Sequence, residues 1–169
     1  SSLIEKHNCL KLVYIMGRNN SGSTTLDAIL GKEEYIAVFL GSWPDLTESP
    51  YVHFKGAVNN QQMAASDVFV LPILHEGSSN VIVEAMASGN MVIASYVGGI
   101  PEILESGKIG NLVKANDALE LSETIVNCLH NRDYIQKCAI QGRKKIEEMD
   151  YNKFIENYLL LYRRSLSSK

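Results

Sequence analysis

Apolar and polar positions fall into two rhythms along the chain. Leu10–Met16, Tyr35–Leu40, Tyr51–Phe54, Asp67–Pro72, Met91–Ser95 and Asn111–Lys114 are short runs rich in apolar and β-branched residues. Runs of that length and character suit strands of a parallel sheet buried on both faces. Between them the apolar positions return every three or four residues. Helices are predicted over Ser23–Leu30, briefly at Gln61–Ser66, and from Ser78 or Ser79 to Gly89. Pro101 stands where a first helical residue often does, with Glu102 in the favourable first turn. From Asp117 onward the pattern is helical in three segments, divided near Arg132 and Asp150. Strands alternating with helices predict an α/β fold with a doubly wound, Rossmann-like parallel sheet and a helical C-terminal tail.

One stretch organises the chain: residues 67–89, DVFVLPILHEGSSNVIVEAMASG. It reads as a buried strand ended by Pro72, a tight loop, and a helix with Ser78 and Ser79 as natural N-caps and Gly89 as its stop. Val81, Ile82, Ala85, Met86 and Gly89 form the apolar stripe. Glu84 falls outside that stripe, while Glu76 lies in the loop, giving an E-x7-E spacing. Glu84 is expected roughly 9 Å along the helix axis from Ser78. The free amides of Ser79, Asn80 and Val81 point out of such a helix start, as an anion site requires. Two acids so spaced are also common in ordinary helices, and spacing alone does not choose between these readings.

Composition narrows the classes. The 169 residues are 46% hydrophobic and 21% charged, which suits one globular domain over residues 1–169. A formal net charge of −3 argues against a general nucleic-acid binder. Cys9, Cys128 and Cys138 have no C-x-x-C spacing and point to a reducing compartment. No apolar run approaches the ~20 residues of a membrane span, and no signal peptide is seen, so a cytoplasmic location is expected.

Ligands of open α/β sheets bind beyond the carboxyl ends of the strands. Four loops should converge there: after Met16, Phe54, Pro72 and Ser95. The first holds Gly17 and Arg18, whose guanidinium either forks onto phosphate oxygens or is a solvated loop charge. The same loop, GRNNSGST, nearly spells the G-x-x-x-x-G-K-[ST] phosphate loop, but its lysine is missing, which disfavours an NTPase. No G-x-G-x-x-G follows a first strand, so a nicotinamide dehydrogenase is also disfavoured. There is no D-x-D and no cluster of metal-ligand types in the sequence, so a metal-dependent site is not expected.

The string HEGSSNVIVEAMASGN, followed by VIASYVGGIPEI, closely resembles the donor-binding half of glycosyltransferase family 4, the group 1 retaining enzymes of GT-B fold. The resemblance runs through essentially the whole chain. It implies that Gly17 and Arg18 meet the donor diphosphate, with Arg18 also stabilising the leaving group. It implies that Ala57 and Val58 read the base through their backbone, and that Glu84 holds the ribose hydroxyls. Glu76 then lies at the donor sugar and its emerging positive charge, so Glu76 and Arg18 are the catalytic candidates. Gly77, Ser78, Ser79 and Asn80 face sugar and phosphates, and Gly98 and Gly99 form a glycine turn close to the donor. His75 fits either a catalytic or a structural role. The chain departs from the family at Ser23, where a lysine usually shares the diphosphate.

The expectation is therefore the nucleotide-sugar-binding domain of a retaining, metal-independent glycosyltransferase that transfers a hexosyl unit to a glycan, lipid or other acceptor. No cofactor is expected; the substrate is a UDP- or GDP-linked sugar. The implied partner is an N-terminal GT-B domain, in the same chain or another, through which peripheral membrane contact is also conceivable. The alternatives are a non-catalytic sugar-nucleotide-binding or scaffold domain, which Ser23 favours, and a GT-B sugar-nucleotide epimerase. Phe154, Ile155, Tyr158, Leu159 and Tyr162 form a C-terminal apolar stripe that either packs on this domain or serves as an interface for that second one.

Overall fold

The computed structural model describes residues 12–16, 36–40, 52–55, 63–149 and 151–167. Six strands make one parallel sheet: β1 (Leu12–Met16), β2 (Ile36–Leu40), β3 (Val52–Lys55), β4 (Val68–Leu71), β5 (Met91–Ser95) and β6 (Asn111–Val113). Their order is β3-β2-β1-β4-β5-β6, the doubly wound arrangement read from the sequence. β1 pairs on one side with β2 (Ile15 opposite Phe39) and on the other with β4 (Ile15 opposite Val70). The helices are α1 (Asn80–Ala87), α2 (Ile100–Ile103), α3 (Ala118–Leu129), α4 (Arg132–Glu147) and α5 (Tyr151–Ser167), with a 3-10 turn at residues 105–107. The helix expected over Ser23–Leu30 lies outside the described residues.

All four residues of β4 and all five of β5 are buried. Because successive side chains of a strand point to opposite faces, each strand divides its residues between two cores. Val68, Val70, Met91 and Ile93 pack with Leu121, Ile125, Cys128 and Leu129 of α3 and with Ile135 and Cys138 of α4. Phe69, Leu71, Val92 and Ala94 pack on the other face with Ile82, Ala85 and Met86 of α1, and with Ile100 and Leu104. Each large side chain so buried contributes about 1.5–3 kcal/mol.

Two polar ties join the layers. At the amino end of the sheet the buried Asn90 amide donates from Nδ2 to the carbonyl of Ser66 at 2.6 Å, to Ser66 Oγ at 2.7 Å and to the carbonyl of Met63 at 3.1 Å. Its Oδ1 has no partner among the described residues. On the α3 side, Tyr134 donates its hydroxyl proton to Asn111 Oδ1, and Asn111 Nδ2 donates to Cys128 Sγ at 3.3 Å. The C-terminal stripe does not pack inward. Phe154 is 57% exposed, Tyr158 50% and Tyr162 63%, with successive rings tilted against each other and their centroids 4.7 and 6.4 Å apart along one face of α5.

Burial, with the Cys138 thiol beside it, pushes the Cys128 thiol up to about 12. Tyr134 and Cys138 are also raised, in each case mainly by burial. These groups hold their protons more tightly in the folded chain than in the unfolded one. Their stabilisation is fully present below the ordinary thiol value of 9.0 and is lost as pH climbs toward the folded value. Urea unfolding should therefore show constant stability from this source up to about pH 9, then a decline that is shallower in Cys128→Ala. Stability that stays level as pH rises past that point contradicts the assignment.

Candidate functional site

The winding of the sheet reverses between β1 and β4: the chain runs outward from β1 through β2 and β3, then returns to β4 and continues through β5 and β6. The carboxyl ends of the two central strands flank this switch point, where the crossovers leave in opposite directions and open a crevice. Gly17 and Arg18 follow directly on β1, and Ala57 and Val58 follow closely on β3; all four lie outside the described residues. β3 is two strands from β1, so its carboxyl end stands roughly 10 Å away along the same edge.

The loop after β4 carries the described part of the site. Glu76 is half-buried, Gly77, Ser78 and Asn80 are exposed, and Ser79 is buried at the N-cap of α1. Glu76 Oε1 accepts a hydrogen bond from the Gly77 amide at 3.2 Å. Glu84 is exposed, while Ile82, Ala85 and Met86 of the same helix face the core. It sits four residues into α1, or ~6 Å along the axis from Asn80. His75 is exposed beside them.

One expectation needs correction. Ser79 occupies the N-cap with extended backbone, yet its side chain accepts no capping bond. The starts of α3 and α4 differ: Asp117 accepts from the Glu120 amide at 3.0 Å, and Asn131 from the Tyr134 amide at 3.0 Å. Ser79 is itself a buried residue. The first-turn amides of α1 are thus left without a side-chain cap, next to the switch point. Such a helix start offers directed N–H donors and a favourable dipole to an anion.

The turn after β5 closes the site from the side. The Gly99 amide donates to the carbonyl of Gly77 at 2.8 Å, so the glycine turn and the Glu76–Gly77 loop are in direct backbone contact. Tyr96 was not singled out by sequence reasoning. It stands 63% exposed at the carboxyl end of β5, its amide donating to the carbonyl of Val113 at 2.7 Å. A large aromatic directly after a buried strand was the available signal. Among the described residues no three His, Cys, Asp or Glu side chains are grouped to hold a metal ion. No helix among them is long and apolar enough to cross a membrane.

Comparison with known proteins bears on this arrangement. Residues 13–131 match the family model described as glycosyl transferases group 1. The alpha-maltose-1-phosphate synthase of Mycolicibacterium smegmatis is 36% identical over 109 residues, covering 60% of this chain and 28% of that protein. HepE of Anabaena, solved with UDP, superposes with a TM-score of 0.75 at 23% identity, over 100% of this chain and 52% of its own. Sucrose-phosphate synthase of Thermosynechococcus elongatus superposes with a TM-score of 0.73 at 22% identity, over 99% and 49%. The chain thus spans about a quarter of the length of that curated relative and about half of each solved one. Its architecture is the Rossmann-like half of a GT-B fold.

The capping contrast has a measurable consequence. Asp117→Ala should destabilise the protein by about 1 kcal/mol through loss of its cap, whereas Ser79→Ala should lose no capping energy and remain within about 0.5 kcal/mol of the parent. Urea midpoints of the two variants decide this; equal losses would mean that Ser79 does cap α1.

Proposed function

The chain belongs to the group 1 glycosyl transferases, and on that premise we propose that it is the donor-binding half of a retaining, metal-independent glycosyltransferase. The observation that carries the reading is the convergence at the switch point of Glu76, the uncapped start of α1 and the exposed Glu84. In this proposal the nucleotide lies across the crevice. Glu84 accepts from the ribose hydroxyls, a task suited to an ionised carboxylate that only accepts. The diphosphate meets the first-turn amides of α1 and the Arg18 guanidinium, with Gly17 allowing close approach. Ala57 and Val58 meet the base, and Glu76 faces the sugar, with Gly77, Ser78, Ser79, Asn80, Gly98 and Gly99 around it.

The chemistry is a transfer of the glycosyl unit. The bond from the anomeric carbon to the diphosphate oxygen breaks, a bond to the acceptor oxygen forms on the same face, and the acceptor proton passes to the leaving diphosphate. The charge that gathers on the leaving group is met by preorganised donors, Arg18 and the amides of α1. Glu76 counters the positive charge that develops on the sugar. HepE, whose structures hold UDP and UDP-glucose, makes a UDP-linked sugar the first donor to test and a GDP-linked one the second. No cofactor beyond the nucleotide sugar takes part.

The acceptor requires a second half, which we propose is an N-terminal domain in the same chain or a partner chain. Support comes from the length of the solved relatives and from the bare aromatic face of α5, an apolar patch of the kind that marks an interaction surface. The buried free thiols of Cys128 and Cys138 suit a reducing, cytoplasmic setting. A second reading, a non-catalytic sugar-nucleotide binder, is favoured by one observation: Ser23 stands where the family carries a lysine.

Titration with UDP-, GDP- and ADP-sugars and the matching diphosphates tests the proposal; failure to bind any of them overturns it. Glu84→Ala should weaken binding of the bare nucleoside diphosphate by about tenfold, the scale of hydrogen bonds to a charged group. Glu76→Ala should act mainly on the full nucleotide sugar. Equal effects of both substitutions on both ligands contradict this division of labour.

The diphosphate site has its own test. Arg18→Ala should nearly abolish binding, while Ser23→Lys should tighten it several-fold at low salt and less as salt is raised. If neither substitution changes affinity, the phosphates do not lie in this loop.

A further inference from the structure

We propose that the Gly98–Gly99 turn is a positioning element for Glu76, fixing the β4–α1 loop by backbone-to-backbone packing. This deepens the donor-site reading and rests on it for the role of Glu76.

Gly98 has φ +52, and a Cβ built on it falls 1.8 Å from the carbonyl oxygen of Glu76, 2.9 Å from the carbonyl carbon of Glu76 and 3.1 Å from the carbonyl oxygen of Gly77. A Cβ on Gly99 falls 2.9 Å from the carbonyl oxygen of Gly77, the atom that accepts the Gly99 amide. The obstructing atoms are backbone, so no rotamer change relieves the clash. Gly89, at φ +85, and Gly107, at φ +91, have nothing within 4 Å of the same construction. Those two glycines answer only a dihedral requirement. Gly98 answers both a dihedral and a steric one, and the steric one is set by the residue that faces the sugar.

The turn is the firmer of the two partners. It is anchored on one side by the Tyr96 amide bonded to Val113 in β6, and on the other by Ile100, fully buried in the core. The loop at residues 76–78 is held, among the described residues, by the Gly77 amide bonded to its neighbour's carboxylate and by the Gly77 carbonyl accepting from Gly99. Any side chain added at residue 98 therefore moves Glu76 more readily than it moves the turn. Displacing a positioned carboxylate by even ~1 Å is costly to the interactions it makes.

The test compares Gly98→Ala, Gly99→Ala and Gly89→Ala in the protein, by titration with UDP and UDP-glucose and by amide hydrogen exchange. Gly98→Ala should lose about tenfold more affinity for UDP-glucose than for UDP and should speed exchange at residues 76–80. Gly99→Ala should move both readouts in the same direction by less, and carries the test if Gly98→Ala does not fold. Gly89→Ala, strained at a comparable dihedral but in open space, should lower Tm and leave both readouts alone. If Gly98→Ala and Gly99→Ala match Gly89→Ala in both readouts, the proposal is overturned. If the parent protein binds neither ligand, the donor reading fails with these probes, and exchange at residues 76–80 still decides whether the turn fixes the loop.

Discussion

The structure depends on the burial of β4 and β5 from both sides. A parallel strand cannot return through a hairpin, so each must hand the chain to a crossover that lies on one face or the other. Here the crossovers through α1 and through α2 both lie over Phe69, Leu71, Val92 and Ala94, while α3 and α4, which follow β6, cover Val68, Val70, Met91 and Ile93 on the other face. With both faces of β4 and β5 apolar and covered, their polar neighbours among the described residues lie at the two ends of the strands. At the amino end Asn90 and Ser66 close the gap with side-chain bonds. At the carboxyl end lie the loops that carry Glu76, the start of α1 and the glycine turn. The site is a product of the same packing that makes the core.

Much of this was legible because double burial leaves a plain trace. VFVL and MVIA have no polar interruption, so their strand character and their central place followed from the residues. The three C-terminal helices were legible too, since the breaks near Arg132 and Asp150 match the observed gaps between α3, α4 and α5. Strand ends differ by a residue, as where β4 runs over Val68–Leu71 and not Asp67–Pro72, because a ladder ends where its partner does. The E-x7-E spacing picked out the loop and helix that meet the switch point.

What the sequence hid were contacts between distant residues. Ser79 is a natural cap by type and stands at the N-cap, but its side chain makes no capping bond, which residue type alone does not reveal. Asn90, after a glycine, looks like any loop residue, and its three donated bonds reach back 24 and 27 positions. The stripe on α5 was visible as a pattern. A pattern, however, cannot say where the covering surface is, and on this chain the aromatic face is bare. The glycines at 98 and 99 were noted for nearness to a ligand, whereas their nearest neighbour is the backbone of residues 76 and 77.

That last contact bears on how the two loops can be exchanged. They belong to successive crossovers, and by chain order each looks like an independent module that could be grafted from a relative. Their backbones interlock, however, with the Gly77 carbonyl serving as the hinge-pin between them. A β4–α1 loop transplanted without its own β5–α2 turn would meet a surface shaped for a different path of the chain. Recombination within this fold should therefore respect a unit that runs from Pro72 to Ile100, with crossover points placed outside it.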